Sequence, residues 1–345
     1  MKTYLPLIAL LAASCGAPPP TEEATTPEPR VVNIYSHRHY DVDKELFTQF
    51  TERTGIEVNV VQAGDDELMA RLQQEGANSP CDILMTSDAG RLGAAKARGL
   101  LQPVESAELQ RIVPANLRDP DGHWYGLTVR ARVFAYNKDK VDPARLATYD
   151  ALTAPEWRGR VLVRSAENVY NQSLVAAMIA HNGEEAAMSW CRGIVKNMAR
   201  DPKGGDTDQL LAVAEGIGDV AIANTYYIGK LMASDEPEKQ KAKAVLGVAF
   251  PILGDHGTHV NVSGAGVAAH APNKAEAVAL LEFLVSEDAQ SLFAEGNKEY
   301  PVRPGVPWAQ ELEAFGKFRM DSLNLEALAR LNPEAVKTMG MAEWK

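Results

Sequence analysis

The residues that follow Arg30 alternate between stretches with strand character and stretches with helix character. The run at 31–36 is rich in β-forming residues, and the segment 43–54 that follows it places Leu46, Phe47 and Phe50 on one helical face. The pattern repeats, with strands predicted at 56–61 and 81–86 and helices at 65–74 and from Asp88. Such units form parallel sheets with helices on both faces, and ligands bind beyond the carboxyl ends of the strands. The predicted fold class is therefore α/β.

A second region of the same kind follows a long strand at 125–137, which we predict to cross from one lobe into another. For a chain of 345 residues about two domains are expected. A hinged, two-lobed binder is predicted, with lobe 1 at 31–130 plus 251–300 and lobe 2 at 131–250 plus 301–345. The remaining strands are predicted at 159–164, 219–223 and 260–270, with a run at 245–250 that could return the chain to lobe 1, and the helices at 171–181, 184–195, 207–215 and 274–293.

Residues 1–15 have the features of an export signal. One lysine precedes an apolar run that is too short to span a bilayer as a helix, and small residues stand directly before Cys15, as in a bacterial lipobox. An ordinary secretory signal with an incidental cysteine is the alternative. Residues 16–30 are rich in Pro, Thr and Glu and are predicted to form a disordered tether. The sequence therefore predicts a lipoprotein of the periplasm or cell envelope, bound to the membrane only through its N-terminal lipid.

The charge and the cysteines narrow the possible partners. A formal net charge of −11 argues against nucleic acid, which needs a basic face for counterion release. Cys81 and Cys191 stand outside any Cys-x-x-Cys motif and in segments assigned to different lobes. Two buried free thiols are expected, although a disulfide remains possible in an oxidising compartment.

Tyrosine and histidine side chains cluster where predicted strands end. His37, His39 and Tyr40 follow the first strand, Tyr170 follows the strand at 159–164, and the pair Tyr226-Tyr227 follows the strand at 219–223. Because the carboxyl ends of the strands meet the cleft of a two-lobed protein, His39 and Tyr40 should come from one wall and the other three tyrosines from the opposite wall.

Phenolate and imidazole ligands favour ferric iron over zinc or copper(I), which prefer thiolate, and over calcium, which would demand carboxylates. A trivalent ion stabilises the phenolate, so metal binding should displace the phenol protons and weaken in acid. Each residue alone is more often structural, since tyrosines usually pack and strand-edge histidines often cap a helix. Arg38, Arg130 and Arg132 are candidates for balancing phenolate charge or holding a small anion, with an ordinary structural role as the alternative.

Several motifs together resemble the periplasmic ferric iron-binding proteins of ABC importers, in particular their cyanobacterial-type branch. They are Tyr-Ser-His-Arg-His-Tyr at 35–40, the segment 76–91, Arg-Val-Phe-Ala-Tyr-Asn at 132–137, Asn-Thr-Tyr-Tyr at 224–227 and Glu-Tyr-Pro-Val at 299–302. The resemblance runs from about Val31 to the C-terminus and implies the type II periplasmic-binding-protein fold. His37 stands where relatives often have serine.

The resemblance implies iron ligands at Tyr40, Tyr170, Tyr226 and Tyr227, with His39 as an additional ligand that varies among branches. It implies capture of Fe³⁺ and delivery to a membrane permease and its ATPase, by a monomer that is not an enzyme, with a synergistic anion such as carbonate in some branches. A receptor for a polyamine or another small organic solute shares the fold and is the first alternative. An exported hydrolase is the second, and the absence of Gly-x-Ser-x-Gly and His-Glu-x-x-His motifs counts against it.

Overall fold

A computed structural model describes Met1 and residues 29–345 of the chain. The predicted signal at 2–15, with the lipidation residue Cys15, and the predicted tether up to residue 28 lie outside the described residues.

The described residues form nine strands and a larger number of helices around them. The strands are β1 (Val31–Ser36), β2 (Glu57–Gln62), β3 (Ile83–Thr86), β4 (Tyr125–Asn137), β5 (Val161–Leu162), β6 (Val220–Asn224), β7 (Leu246–Ala249), β8 (Val260–Val267) and β9 (Tyr300–Pro301). The α-helices are α1 (Asp41–Thr54), α2 (Asp65–Glu75), α3 (Ala89–Ala97), α4 (Ala107–Ile112), α5 (Val169–Asn197), α6 (Asp206–Ala214), α7 (Thr225–Ala233), α8 (Pro237–Val245), α9 (Lys274–Leu284), α10 (Glu287–Asn297), α11 (Gln310–Glu313), α12 (Glu326–Arg330) and α13 (Asn332–Met341). Short 3₁₀ helices occupy Gly76–Asn78, Ala115–Leu117, Pro143–Leu146, Tyr149–Thr153 and Pro155–Trp157.

The sheet runs in the order β2-β1-β3-β8-β4-β6-β5, with β7 and β9 also paired to β4. Strands β1, β2 and β3 are parallel, and β8 lies antiparallel between β3 and β4. The first part of β4 pairs with β8, whereas its second part, from Arg132, pairs with β6. Strand β4 has the predicted bounds and connects the two halves of the sheet. We call the half built on β1, β2 and β3 lobe 1 and the half built on β5, β6 and β7 lobe 2. The residue boundaries given above for the lobes stay a prediction.

Four elements differ from the sequence prediction. The helix predicted at 274–293 is two helices, because the Ser286 side chain accepts a hydrogen bond from Ala289 N and starts α10 anew. Strand β5 covers only two of the six residues predicted at 159–164. Helix α5 joins the two predicted helices but is broken at Gly183, where φ is 83°. The run at 245–250 does not return to lobe 1, because β7 pairs with the second part of β4.

Both lobes are held together by apolar cores and by contacts across the cleft. Cys81 and Cys191 are buried in these cores as free thiols, as expected. Helix α12, the last but one, packs against α3 of lobe 1 and α5 of lobe 2. Asp88, which caps α3, accepts hydrogen bonds at 3.0 Å from Ser173 Oγ of α5. Residues on α3, α5 and α12 therefore join the two lobes beside the site described below.

Among the helices of the described residues, none has both the length and the apolar character needed to cross a membrane.

Candidate metal centre

The four tyrosines of the predicted site stand at the starts of helices. Tyr40 directly precedes α1, Tyr170 is the second residue of α5, and Tyr226 and Tyr227 are the second and third residues of α7. Helix α1 follows β1, and α7 follows β6 without a gap. Side chains tilt towards the N-terminus of their helix, so these rings project beyond the helix starts into the space between the lobes.

The structure brings all four tyrosines and His39 together. The phenol oxygens of Tyr170 and Tyr226 lie 3.4 Å apart, and the rings of Tyr226 and Tyr227 have centroids 4.1 Å apart. From lobe 1 the ring of Tyr40 approaches that of Tyr226 to 6.3 Å, and His39 lies 5.3 Å from Tyr40. The sequence placed these residues on two facing walls, and the structure has this arrangement. Their role as metal ligands stays a prediction.

A cavity of about 460 Å³ opens beside these rings. It is lined by residues of both lobes, among them His39, Tyr40, Thr207, Tyr226, Tyr227 and Lys230. Tyr226 and Tyr170 are only 2% and 9% exposed, whereas His39 is exposed. The pocket therefore leads from an exposed imidazole to buried phenols.

Burial keeps the phenols of Tyr40, Tyr226 and Tyr227 protonated in the absence of a metal. Desolvation, reinforced by the carboxylate of Glu299, raises the pKa of Tyr40 to about 12, although Arg38 acts in the opposite direction. Burial and the neighbouring phenols Tyr170 and Tyr40 raise the pKa of Tyr226 well above its ordinary value. Burial also raises the pKa of Tyr227. A cation that stabilises the phenolate would have to displace these protons.

Of the three arginines named from the sequence, two form ion pairs with carboxylates. Arg38 binds Asp43 at 2.9 Å and Glu299 at 3.1 Å, so it supports the start of α1 and holds its guanidinium 4.8 Å from the Tyr40 ring. Arg132 binds Asp206 at 2.7 Å. The charges of Arg38 and Arg132 are therefore paired with carboxylates behind the tyrosine rings.

Of the three arginines, Arg130 has two donors that are unpartnered among the described residues, whereas Arg132 has one, its Nε. It is buried, and its Nη1 donates to Ser263 Oγ at 2.9 Å, with Glu299 3.8 Å away. Its Nε and Nη2 are buried without a hydrogen-bond partner, and its guanidinium lies 5.3 Å from the ring of Tyr170. Unsatisfied donors of a buried guanidinium are costly, so this side chain can accommodate an anion next to the tyrosines.

Two further cations at the site were missed in the sequence. Lys230 Nζ stands 4.1 Å from the centroid of the Tyr40 ring and 5.7 Å from that of Tyr226, and burial lowers its pKa. Arg164 lies 5.5 Å from the ring of Tyr170. The sequence could have placed Lys230 at the site, because it lies four residues after Tyr226 on the same helix face. It could not have placed Arg164 there, since Arg164 meets its partner Asp206 only in the folded chain, at 3.7 Å.

Comparison with known proteins identifies the family. Residues 45–318 match the family described as bacterial extracellular solute-binding protein. Iron uptake protein A1 of Synechocystis sp. is 48% identical over 97% of this chain and 93% of its own length. The chain belongs to this family of solute-binding proteins, in the group of the iron uptake proteins. The predicted resemblance is therefore confirmed.

Solved structures of family members agree with the fold. The Trichodesmium protein IdiA (FutA), solved in complex with iron and citrate, is 48% identical, has a TM-score of 0.89 and is matched over 91% of this chain and 100% of its own. The ferric binding protein of Campylobacter jejuni is 40% identical, with a TM-score of 0.86 over 91% of this chain and 100% of its own. The two-lobed type II fold is thus confirmed. Because the solute-binding family is extracellular, the expected periplasmic location is confirmed in this coarse form.

Proposed function

We propose that this protein captures Fe³⁺ in the cleft through the phenolates of Tyr40, Tyr170, Tyr226 and Tyr227, with His39 as a fifth ligand, and delivers it to the permease and ATPase of an ABC importer. The observation that carries the proposal is the convergence of these four phenols from two lobes. The relatives named as iron uptake and ferric binding proteins support the choice of metal.

The chemistry of the donor set favours a trivalent ion. The 3.4 Å between the oxygens of Tyr170 and Tyr226 is longer than a strong O–H···O hydrogen bond, so neither phenol is firmly engaged by the other. Anionic oxygen and imidazole suit ferric iron, whereas the thiolates that zinc or copper(I) prefers are absent from the described site. The acidic groups behind the rings, Asp206 and Glu299, are already bound to arginines, so they are not free to hold a polyamine.

An anion completes the proposed site. The unpartnered Nε and Nη2 of Arg130 would bind a small carboxylate or carbonate that fills the remaining positions on the iron. Arg38 and Arg132 then act behind the ligands, where they balance the phenolate charge. The Trichodesmium relative was solved with citrate as well as iron, which supports an anion at such a site.

In the cell, we propose, the protein acts as a monomeric binder that catalyses no reaction and is anchored through a lipid on Cys15. The lobe 2 tyrosines hold iron in an open form, and Tyr40 with His39 lock it when the lobes close.

Absorption spectroscopy tests the tyrosine site. Wild-type protein incubated with ferric citrate should become coloured through tyrosinate-to-iron charge transfer, and Tyr226→Phe should fade the band. Tyr136→Phe is the matched control, because Tyr136 lies in β4 outside the pocket and its loss should leave the colour unchanged. Tyr40→Phe should speed iron release more than it weakens binding. A wild-type protein that stays colourless, or equal losses from all four ligand substitutions, would contradict this scheme.

A further inference from the structure

His37 and Asp65 meet beside the tyrosine pocket but have no part in the proposed ferric site. His37 directly follows β1, and Asp65 is the first residue of α2, just after β2. Since β1 and β2 are paired in parallel register up to Ser36 and Gln62, both side chains lie at the same edge of the sheet. The Nε2 of His37 is 3.8 Å from Oδ2 of Asp65.

The hydrogen bond on the other ring nitrogen fixes the tautomer of a neutral His37. Its Nδ1 lies 3.4 Å from the carbonyl oxygen of Ala63, and a carbonyl can only accept, so Nδ1 carries the proton. The lone pair on Nε2 of the neutral ring then faces Asp65. A backbone carbonyl on Nδ1 and a free Nε2 is the arrangement found in metal-ligating histidines.

The carboxylate of Asp65 has an oxygen that lacks a hydrogen-bond partner in the described part of the chain. Its side chain is 8% exposed, and its Oδ1 is buried without any hydrogen-bond partner among the described residues. The nearby Arg91 binds Asp66, and Arg130, whose Nη1 donates to Ser263, makes no hydrogen bond to Asp65. A buried carboxylate oxygen without a partner costs free energy. A cation held by both oxygens of Asp65 and by Nε2 of His37 removes this penalty.

The geometry is close to that of two ligands on one ion. For metal–ligand bonds of about 2.0–2.2 Å, neighbouring ligand atoms lie roughly 3 to 3.5 Å apart. The observed 3.8 Å needs only a small inward movement, and His37 has 37% of its side chain exposed, so an ion can enter from solvent. Imidazole with carboxylate suits divalent zinc, iron, cobalt and manganese.

We propose that His37 and Asp65 bind a divalent transition-metal ion, with water in the remaining positions, at a second site next to the ferric pocket. The ring of His39 lies 6.5 Å from that of His37 and 5.3 Å from that of Tyr40, so it stands between the two sites. The second site does not depend on the ferric site being occupied.

Another group of histidine and aspartate side chains shows the contrast. Asp119, Asp121 and His123 also lie close enough to hold an ion. There the ammonium of Lys96 lies 2.7 Å from both carboxylates and already supplies the positive charge. No such cation stands between His37 and Asp65.

Cobalt(II) is the probe, because its d–d absorption reports on the protein ligands. This absorption is distinct from the tyrosinate-to-iron charge-transfer band. The titration is made on iron-free Tyr226→Phe protein. One equivalent of Co²⁺ should bind, and both His37→Ser and Asp65→Asn in this background should weaken binding more than ten-fold. Asp121→Asn is the control and should bind like the parent. Circular dichroism and melting temperature verify that each variant is folded.

The outcomes separate the two sites. Absence of Co²⁺ binding in the folded parent, or binding that His37→Ser and Asp65→Asn leave unchanged, would show an ordinary ion pair and overturn the proposal. Loss only in Asp121→Asn would move the ion to the Lys96 cluster and overturn it as well. Ferric colour in wild-type protein is read independently, so failure of the iron proposal leaves this test intact.

Discussion

At the scale of single residues, the raised pKa values of Tyr40, Tyr226 and Tyr227 keep these phenols neutral until the metal arrives. Burial raises the pKa of Tyr40 to about 12, so this phenol is protonated at every physiological pH in the unliganded protein. Each phenol that becomes a phenolate on binding must release one proton. Affinity for ferric iron should therefore rise with pH throughout the range below that pKa, without a plateau near neutrality.

Proton release can be counted in a pH-stat while ferric citrate is added. The Tyr226→Phe variant should release about one proton fewer per iron than wild type, and Tyr136→Phe should release the wild-type number. Using the same chelate throughout cancels protons that come from citrate. Identical release from wild type and Tyr226→Phe would mean that this phenol stays protonated and is not a ligand.

Lys230 is the residue whose charge most directly faces the phenols. With neutral rings its ammonium, 4.1 Å from the Tyr40 centroid, makes a cation–π contact. Once the phenols are ionised, the same charge offsets the excess negative charge of a site with more phenolates than the ion can neutralise.

We expect Lys230→Met to weaken ferric binding about ten-fold and Lys230→Arg to restore most of it, since a charge at this distance contributes about 1 to 2 kcal/mol in a partly buried site. Competition with citrate measures the affinity. Lys239→Met is the control, because Lys239 lines the same cavity but binds Glu236 at 2.7 Å. Tighter binding by Lys230→Met would show that the ammonium repels the iron more than it stabilises the phenolates.

At the scale of elements, the predictions from the sequence were most accurate in segments where a single residue pattern dominates. The β-branched and aromatic residues of β4 set its bounds, and the strand-then-tyrosine order located the site. The break at Ser286 was missed because the apolar spacing of α9 continues into α10, although a serine followed directly by Glu287 and Asp288 was a helix-start signal. The partners of Arg132 and Arg164 could not be predicted, because Asp206 is distant in sequence and near only after folding.

The contact between α3 and α12 is another such long-range feature. A Cβ atom on Gly93 would overlap with Cβ of Ala329, so these helices approach closely only because residue 93 lacks a side chain. Gly93→Ala gains helix propensity of up to about 1 kcal/mol, but the overlap should outweigh it.

We expect Gly93→Ala to lower the free energy of unfolding by about 1 to 3 kcal/mol, as measured by urea denaturation. In an Ala329→Gly background the same change should be neutral or stabilising, because the space is then free. Gly340→Ala in α13, which meets no atom within 4 Å, is the control and should not destabilise. Equal effects of Gly93→Ala in both backgrounds would exclude the overlap as the cause.

At the scale of the whole molecule, release of iron depends on what holds the lobes together. Asp88 of lobe 1 accepts from Ser173 Oγ of lobe 2 at 3.0 Å, and also from Asn261 Nδ2 at 2.8 Å and Gly90 N at 2.7 Å. Burial raises the pKa of Asp88 to about 6, against the opposing effects of Arg130 and these hydrogen bonds. The Ser173 bond is the one of the three that spans the cleft, so opening of the lobes would break it.

Removing this bond should open the protein more often without touching the iron ligands. A hydrogen bond to a charged group contributes about 1.5 to 3 kcal/mol, so Ser173→Ala should speed iron release to a competing chelator roughly ten-fold or more at pH 7.5. Below pH 6 the Asp88 carboxyl is protonated in both proteins and accepts more weakly, so the ratio of the two release rates should shrink, even though both rates rise as phenolates are reprotonated. Ser189→Ala, an exposed serine of α5 beyond the break at Gly183, controls for the general effect of removing a hydroxyl group. A rate ratio that is independent of pH would mean that Ser173 acts through packing and not through the charge of Asp88.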